Sequence, residues 1–326
     1  MFTIQKVDLN NEKEVVLLSD FLQRFSLQLD LVDQSYVIIE NDCIIATCSL
    51  YKNVLKCFAI DDKYQNMGIT NQLISYMLKV CFDLNIQDIF IFTKVVNAKI
   101  FKGLNFEEIY FNKSISLLHY GPTTINKVLS DIPKYDGLIG AIVMNANPFT
   151  LGHQYLVEYA SQQVDHLYVF VVQEDVSYFS FEDRYMLVLQ GCSKYKNVTV
   201  LPSSIYMISS ATFPTYFLKD EQIVVSEHAR MDATIFAQYF AKTLSIKKRF
   251  VGQEPLDVTT DMYNQVMKDV LTRYDIQLIV IPRKEMDDQV ISASIVRKYL
   301  NEGKLDKIQP LVPDTTYQLI LEKYAK

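Results

Sequence analysis

The chain has 326 residues, 49% apolar and 21% charged, with only 9 Gly and 9 Pro, which excludes the disordered, collagen-like and low-complexity classes and leaves apolar surface for two cores. With 32 Lys and Arg against 38 Asp and Glu the net charge is −6, so the global basic field of a bulk nucleic-acid binder is missing and no nucleic-acid partner is expected. No run reaches the roughly 18 apolar residues of a membrane span, no signal-like apolar region follows residues 1–6, and five cysteines without a Cys-x-x-Cys pair read as reduced thiols, so a cytoplasmic protein without membrane attachment is expected.

In chain order, residues 3–7 read as an edge strand and 12–28 as a helix with Val15, Leu18, Leu22 and Phe25 on one face. Strands over 36–40 and 43–50 meet across Asn41-Asp42, a hairpin turn pair, and 54–60 adds a third antiparallel strand. A loop, a helix at 69–84, a strand at 88–93, a helix at 97–103 and strands to about 120 complete the first half. Gly121-Pro122 breaks the chain, and 123–133 reads as a short connecting helix. The expected domains are therefore 1–121 and 136–326, joined by a linker at 122–135.

The second half restarts with an apolar strand at 137–144. Further strands are expected at 166–173, 198–202, 248–252 and 277–281, and helices at 153–164, 181–193, 232–244, 260–274 and 293–301. Alternating strands and helices with near-continuous apolar strands imply an α/β domain with a parallel sheet, whose ligands bind at the carboxyl ends of the strands.

The loop after the first of these strands contains Asn147, Pro148, Thr150, Gly152 and His153 and runs straight into a helix. Pro148 sets a turn, and Gly152 lets the backbone approach a ligand closely. His153 falls at a helix start, where unpaired N–H groups and the dipole favour an anion, and His153 and Thr150 are donors for a phosphate whose charge grows during transfer. After the last strand, Ile291-Ser-Ala-Ser-Ile-Val-Arg297 opens another helix. Ser292 and Ser294 offer hydroxyls there, and Arg297 supplies a permanent cation one turn further on.

Thr150-x-Gly-His153 with Ile291-Ser-x-Ser-x-x-Arg297 resembles the nucleotidyltransferase superfamily, with Ala293 in place of that motif's middle Ser. The resemblance implies catalytic roles for His153, Thr150 and Arg297, and nucleotide binding by Asn147, Gly152, Ser292, Ser294 and Arg184, the last from a Phe181-x-x-Arg184-x-x-Leu187 helix. Residues 209–220, Arg249-Phe-Val-Gly-Gln-Glu-Pro255 and Ile281-Pro-Arg283 narrow it: with the 145–153 loop they resemble the acetate:citrate lyase ligase family over residues 136–326. That family uses ATP and acetate to acetylate a thiol on the CoA-like arm of the citrate lyase acyl-carrier subunit. The implied reaction passes through acetyl-adenylate and releases AMP and diphosphate, with Mg²⁺ expected beside ATP and its ligands unassigned.

In the first half, Gln65-x-x-Gly68-x-Thr70 follows a strand and opens a helix, and with the Asn97 segment it resembles the GNAT acetyltransferases over about 1–120. This implies a mixed α+β GNAT-like domain in which Gln65, Gly68, Thr70 and Asn97 receive a CoA-like arm. No general base stands out, so docking of the arm or carrier is favoured over a second acetylation.

His119, His166 and His228 read as structural or surface residues, and Cys43, Cys48, Cys57 and Cys81 as core. The 247–249 run of Lys, Lys and Arg reads as a solvated strand start. Two other functions share the motifs: a nucleotidyltransferase with a phosphopantetheine-like or mononucleotide acceptor, and a non-catalytic ATP- or CoA-binding module.

Overall fold

The computed structural model describes residues 2–173, 177–207, 221–253, 258–282, 285–286 and 289–325. Of the segments carrying the resemblance, 209–220, 254–255 and Arg283 lie outside the described residues. The chain divides into two compact units, one of Met1–Thr124 with Thr212–Glu227, the other of Ile125–Ala211 with His228–Lys326.

The first unit contains β1 (Ile4–Lys6), α1 (Glu12–Gln23), β2 (Gln34–Glu40), β3 (Cys43–Tyr51), β4 (Val54–Ile60), α2 (Ile69–Asp83), β5 (Ile89–Lys94), α3 (Ala98–Lys102), β6 (Glu107–Phe111) and β7 (Ile115–Tyr120). Its sheet runs β1-β2-β3-β4-β5-β7-β6, antiparallel except for β4 and β5. The β2–β3 hairpin turns on Asn41 and Asp42, both with positive φ, as a two-residue turn requires. Helix α1 stops earlier than its apolar spacing suggests. Ser26 takes a left-handed conformation, and the Leu27 and Ser26 amides donate back to the Leu22 and Gln23 carbonyls, a motif that ends the helix. Leu73, Ile74, Met77 and Cys81 of α2 pack on Ile45, Leu55, Ile91 and Leu118 on one sheet face, while α1 covers the other with Leu18 and Leu22.

The parallel pairing of β4 with β5 is confined to Val54–Phe90 and Leu55–Ile91, although the strands continue to Ile60 and Lys94. Beyond that pairing the two strands part, leaving a cleft in the sheet that α2 borders.

The second unit contains α4 (Ile125–Ser130), β8 (Ile139–Met144), α5 (Leu151–Ser161), β9 (His166–Val171), α6 (Phe181–Cys192), β10 (Val198–Pro202), the part of α7 (Glu221–Ile235) from His228 onward, β11 (Ile246–Gly252), α8 (Val258–Thr272), β12 (Gln277–Ile281), the short β13 (Glu285–Met286) and β14 (Gln289–Val290), α9 (Ala293–Asn301) and α10 (Asp314–Leu319). π-Helical turns extend α7 over Phe236–Ala241 and α10 over Ile320–Tyr324. The main sheet, β10-β9-β8-β11-β12, is parallel throughout. Every residue of β9 is buried, which is why its apolar run shows no alternation. Strand order reverses at β8, with β9 on one side and β11 on the other, so the loop leaving β8 opens at the switch point of the sheet.

The expected sheets are present, a mixed one in the first unit and a parallel one in the second. Besides the early end of α1, three details differ from the sequence reading. Helix α7 begins at Glu221 rather than near 232, and α10 was not anticipated, since Asp314-Thr-Thr-Tyr-Gln lacks a strong apolar face. Cys43 is exposed instead of core because it starts β3 at the hairpin tip. No helix among the described residues is long and apolar enough to cross a membrane.

Candidate active site

The loop leaving β8 is held by its own hydrophobic residue. Phe149 is fully buried, and a Cβ placed on Gly191 of α6 would lie 2.3 Å from its ring. Its other side stacks on the His153 ring at 5.8 Å and 19°, and its carbonyl accepts the Thr316 hydroxyl at 2.9 Å. Thr150, 1% exposed, caps α5 by accepting the His153 amide. In return, the Thr150 backbone N–H donates to His153 Nδ1 at 3.1 Å, and the Thr150 hydroxyl lies 2.9 Å from the same nitrogen. An Nδ1 that accepts a backbone N–H carries no proton, so the neutral ring is protonated at Nε2. The capping box thus turns His153 into a donor of fixed tautomer, and the Thr150 hydroxyl is engaged with that ring.

The second motif closes on the first. Ser292 caps α9, its hydroxyl accepting the Ile295 amide at 3.2 Å. Arg297, one turn on, donates from Nη2 to the exposed Ser294 hydroxyl at 3.1 Å and from Nη1 to the Asn147 carbonyl. Gly152 sits against α9, where an added Cβ would lie 3.0 Å from the Ile291 carbonyl oxygen. Gly152, expected to let a ligand approach, here lets the two helix starts approach one another. Asn147 spends its side-chain oxygen on the Phe179 amide at 3.0 Å. His153, Thr150, Gly152, Asn147, Ser292, Ser294 and Arg297 thus lie together at the carboxyl end of the sheet, with two helix N-termini side by side.

Arg184 departs from its expected place at the nucleotide. It has no exposed surface. Nη1 donates to the Asn145 carbonyl at 2.7 Å, the Asn145 side-chain oxygen at 2.7 Å and the Val172 carbonyl at 2.8 Å, and Nε donates to the Phe179 carbonyl at 3.2 Å. A buried guanidinium bound to three main-chain carbonyls ties the ends of β8 and β9 to α6 from below. One residue earlier, Asp183 accepts Lys323 Nζ at 2.6 Å and the Tyr324 hydroxyl at 2.7 Å. Burial pushes the Asp183 carboxyl up, yet those hydrogen bonds, the Lys323 charge and the Ser180 hydroxyl outweigh it and hold it below the usual carboxylate value. Tyr324 also packs 4.3 Å from Phe179, so the C-terminal turn braces the same loop. Phe149 lies inside the 145–153 loop and Asp183 inside the Phe181–Leu187 motif, but their partners Gly191, Thr316, Lys323 and Tyr324 are distant in the chain or outside any motif, so nothing in the sequence marks these contacts.

In the first unit, Gln65, Gly68, Thr70 and Asn97 gather around one cavity of about 530 Å³ in the cleft between β4 and β5. Gly68 has φ +77 and begins α2 without a side-chain cap, so the first amides of the helix have no side-chain acceptor from the cap residue. Gln65 is partly engaged, donating to Asp62 at 2.7 Å. Leu55, Phe58, Ile91 and Phe101 supply apolar wall, and the described lining includes neither carboxylate nor imidazole. Cys48 lines it too, but burial pushes its thiol well above the ordinary value, so it is a poor nucleophile.

The remaining histidines are structural: His119 binds Asp88 at 3.1 Å, His166 binds Thr199 at 2.9 Å, and His228 is buried against Tyr263. Arg249 corrects the expectation of a solvated strand start, being 4% exposed. Among the described residues no group of three or more His, Cys, Asp or Glu is placed to hold a metal ion.

The model for the citrate lyase ligase C-terminal domain matches residues 139–320. Three curated relatives named [Citrate [pro-3S]-lyase] ligase align over nearly their whole length. The Haemophilus influenzae protein is 38% identical, covering 94% of this chain and 94% of its own. The Klebsiella pneumoniae protein is 37% identical over 93% and 91%, and that of Escherichia coli strain K12 33% identical over 95% and 91%.

Proposed function

The chain belongs to the citrate lyase ligase family, and from that premise we propose that it is a cytoplasmic acid–thiol ligase. It uses ATP and acetate to acetylate the thiol of the CoA-like arm on the citrate lyase acyl-carrier subunit. An acetate oxygen attacks the α-phosphorus, the bond to the bridging oxygen breaks, and diphosphate leaves with that electron pair. The arm's thiolate then attacks the acetyl carbon, and AMP departs. The relatives' names favour this reading over a nucleotidyltransferase with another acceptor or a non-catalytic binding module.

The observation that carries it is the junction of the two motifs. Adenylation needs no protein nucleophile; it needs orientation and donors aimed at the charge that develops on phosphoryl oxygens. His153 Nε2–H, the starts of α5 and α9, Ser294 and Arg297 supply such donors on one side of one sheet. Thr150 holds the His153 tautomer and Arg184 holds the loop, each acting through its neighbour. Asn147, Gly152 and Ser292 shape the nucleotide seat through main-chain groups. Magnesium is expected to enter bound to the phosphates of ATP, whose charge it shields.

Residues 136–326 form the adenylate, and residues 1–121, beyond the 122–135 linker, dock the thiol-bearing arm in the β4–β5 cleft. An apolar cavity bordered by the uncapped start of α2 suits a pantetheine chain ending in a phosphate. The described lining holds no carboxylate and no imidazole, which fits docking better than catalysis. The test is ATP–pyrophosphate exchange with and without acetate, followed by addition of deacetylated carrier. Acetate-dependent exchange and acetate-dependent labelling of the carrier thiol are expected; exchange indifferent to acetate overturns the assignment.

A further inference from the structure

Arg249 stands on β11, the strand between β8 and β12, whose following segments carry the two motifs. Its register partners are Ala141 and Leu278. The side chain is 4% exposed. Nη2 donates to Asp232 Oδ2 at 3.1 Å, and the guanidinium lies 4.5 Å from the centre of the Phe236 ring. The Tyr263 hydroxyl donates to the same Asp232 oxygen at 3.0 Å, and His228 packs on Tyr263. These contacts fix the guanidinium plane while Nε and Nη1 remain buried with no acceptor. Buried donors without partners are rare and costly, and a preorganised arginine carrying two of them is built to meet an oxygen from outside.

We propose that Arg249 binds the carboxylate of the acid substrate, a small monocarboxylate, through an N–H that the protein leaves unpaired, on Nε or on Nη1. The inference rests on the acid-dependent reading above, which leaves the acid without a recognition group. Asp232 beside the guanidinium offsets part of its charge, which suits a singly charged carboxylate and disfavours a multiply charged phosphate. The phosphates already have the starts of α5 and α9. Phe236 covers one face of the guanidinium, which leaves the edge of the group for a carboxylate.

The experiment compares the full-length chain with Arg249→Lys, which keeps a cation for Asp232, and Arg249→Met, with thermal melting as the check on folding. Two readouts are taken: the acetate and ATP dependence of pyrophosphate exchange, and line broadening of ¹³C-acetate by the protein, with inorganic phosphate as competitor. In both variants the acetate KM rises by about tenfold or more, as for a lost charge-assisted hydrogen bond, the ATP KM is unchanged, and the broadening disappears. Phosphate does not displace acetate. An unchanged acetate KM in folded Arg249→Lys overturns the proposal, as does an equal loss for acetate and ATP, which marks a purely structural residue. Broadening by the parent protein that vanishes in the variants, without acetate-dependent exchange, sinks the ligase reading but leaves the carboxylate site standing. Absence of broadening in the parent protein overturns the site itself.

Discussion

Arg297 Nη1 donates to the main-chain carbonyl of Asn147, 150 residues earlier in the chain. This bond, with the close approach of Gly152 to the Ile291 carbonyl, makes the loop after β8 and the start of α9 one structural piece. A triphosphate lying across both helix starts would meet donors already held at fixed separation. Such a site has little reorganisation to complete when charge moves onto the leaving diphosphate.

His153→Ala is expected to lower acetate-dependent pyrophosphate exchange by about two orders of magnitude, since one preorganised donor is worth about 3–4 kcal/mol in the transition state. Thr150 still caps α5 without the ring, so the melting temperature should change little. Exchange at near the parent rate would remove the histidine from the mechanism.

Gly191→Ala tests the support behind that histidine. The new methyl would stand 2.3 Å from the Phe149 ring, and overpacking of this kind costs about 1–3 kcal/mol. Because Phe149 stacks on His153, both stability to urea and exchange rate should fall. Lost stability with unchanged exchange would show that Phe149 does not set the ring's position.

The C-terminal latch should be acid-sensitive. The Asp183 pKa is lowered in the folded chain, so its contribution is present above the unfolded carboxyl value and is lost as pH falls through the folded one. Melting temperatures measured from pH 7 down to about pH 3, below the usual aspartate value, should therefore fall less steeply for Asp183→Asn than for the parent. Parallel curves would show that Lys323 and Tyr324 do not stabilise the ionised form.

Thr70→Trp would fill part of the cavity between β4 and β5. Exchange, which depends on the second unit, should stay at the parent rate, while acetyl transfer to the carrier should drop by about tenfold or more as the docked arm loses its effective concentration. Transfer at the parent rate would place the arm elsewhere.

Much of this was legible in the sequence because it is local. Alternating or continuous apolar runs set the strands, Asn41-Asp42 set a hairpin, and Ser292 marked a helix start through capping chemistry that spans three residues. Cap and anion-binding chemistry share the same unpaired amides, so the site motifs could be found before any fold was known. Tertiary structure decided the rest. Whether Gly152 faces a ligand or Ile291, and whether Arg184 and Arg249 meet water or lie buried, depends on what the chain brings from more than a hundred residues away or on which sheet face a helix covers. An isolated arginine looks the same in sequence whether solvated, clamped by carbonyls or left with unpaired donors, because burial and partners arise only when the layers pack. The latch from Lys323 and Tyr324 to Asp183 has the same origin: it joins residues 140 and 141 positions apart, which no local pattern encodes.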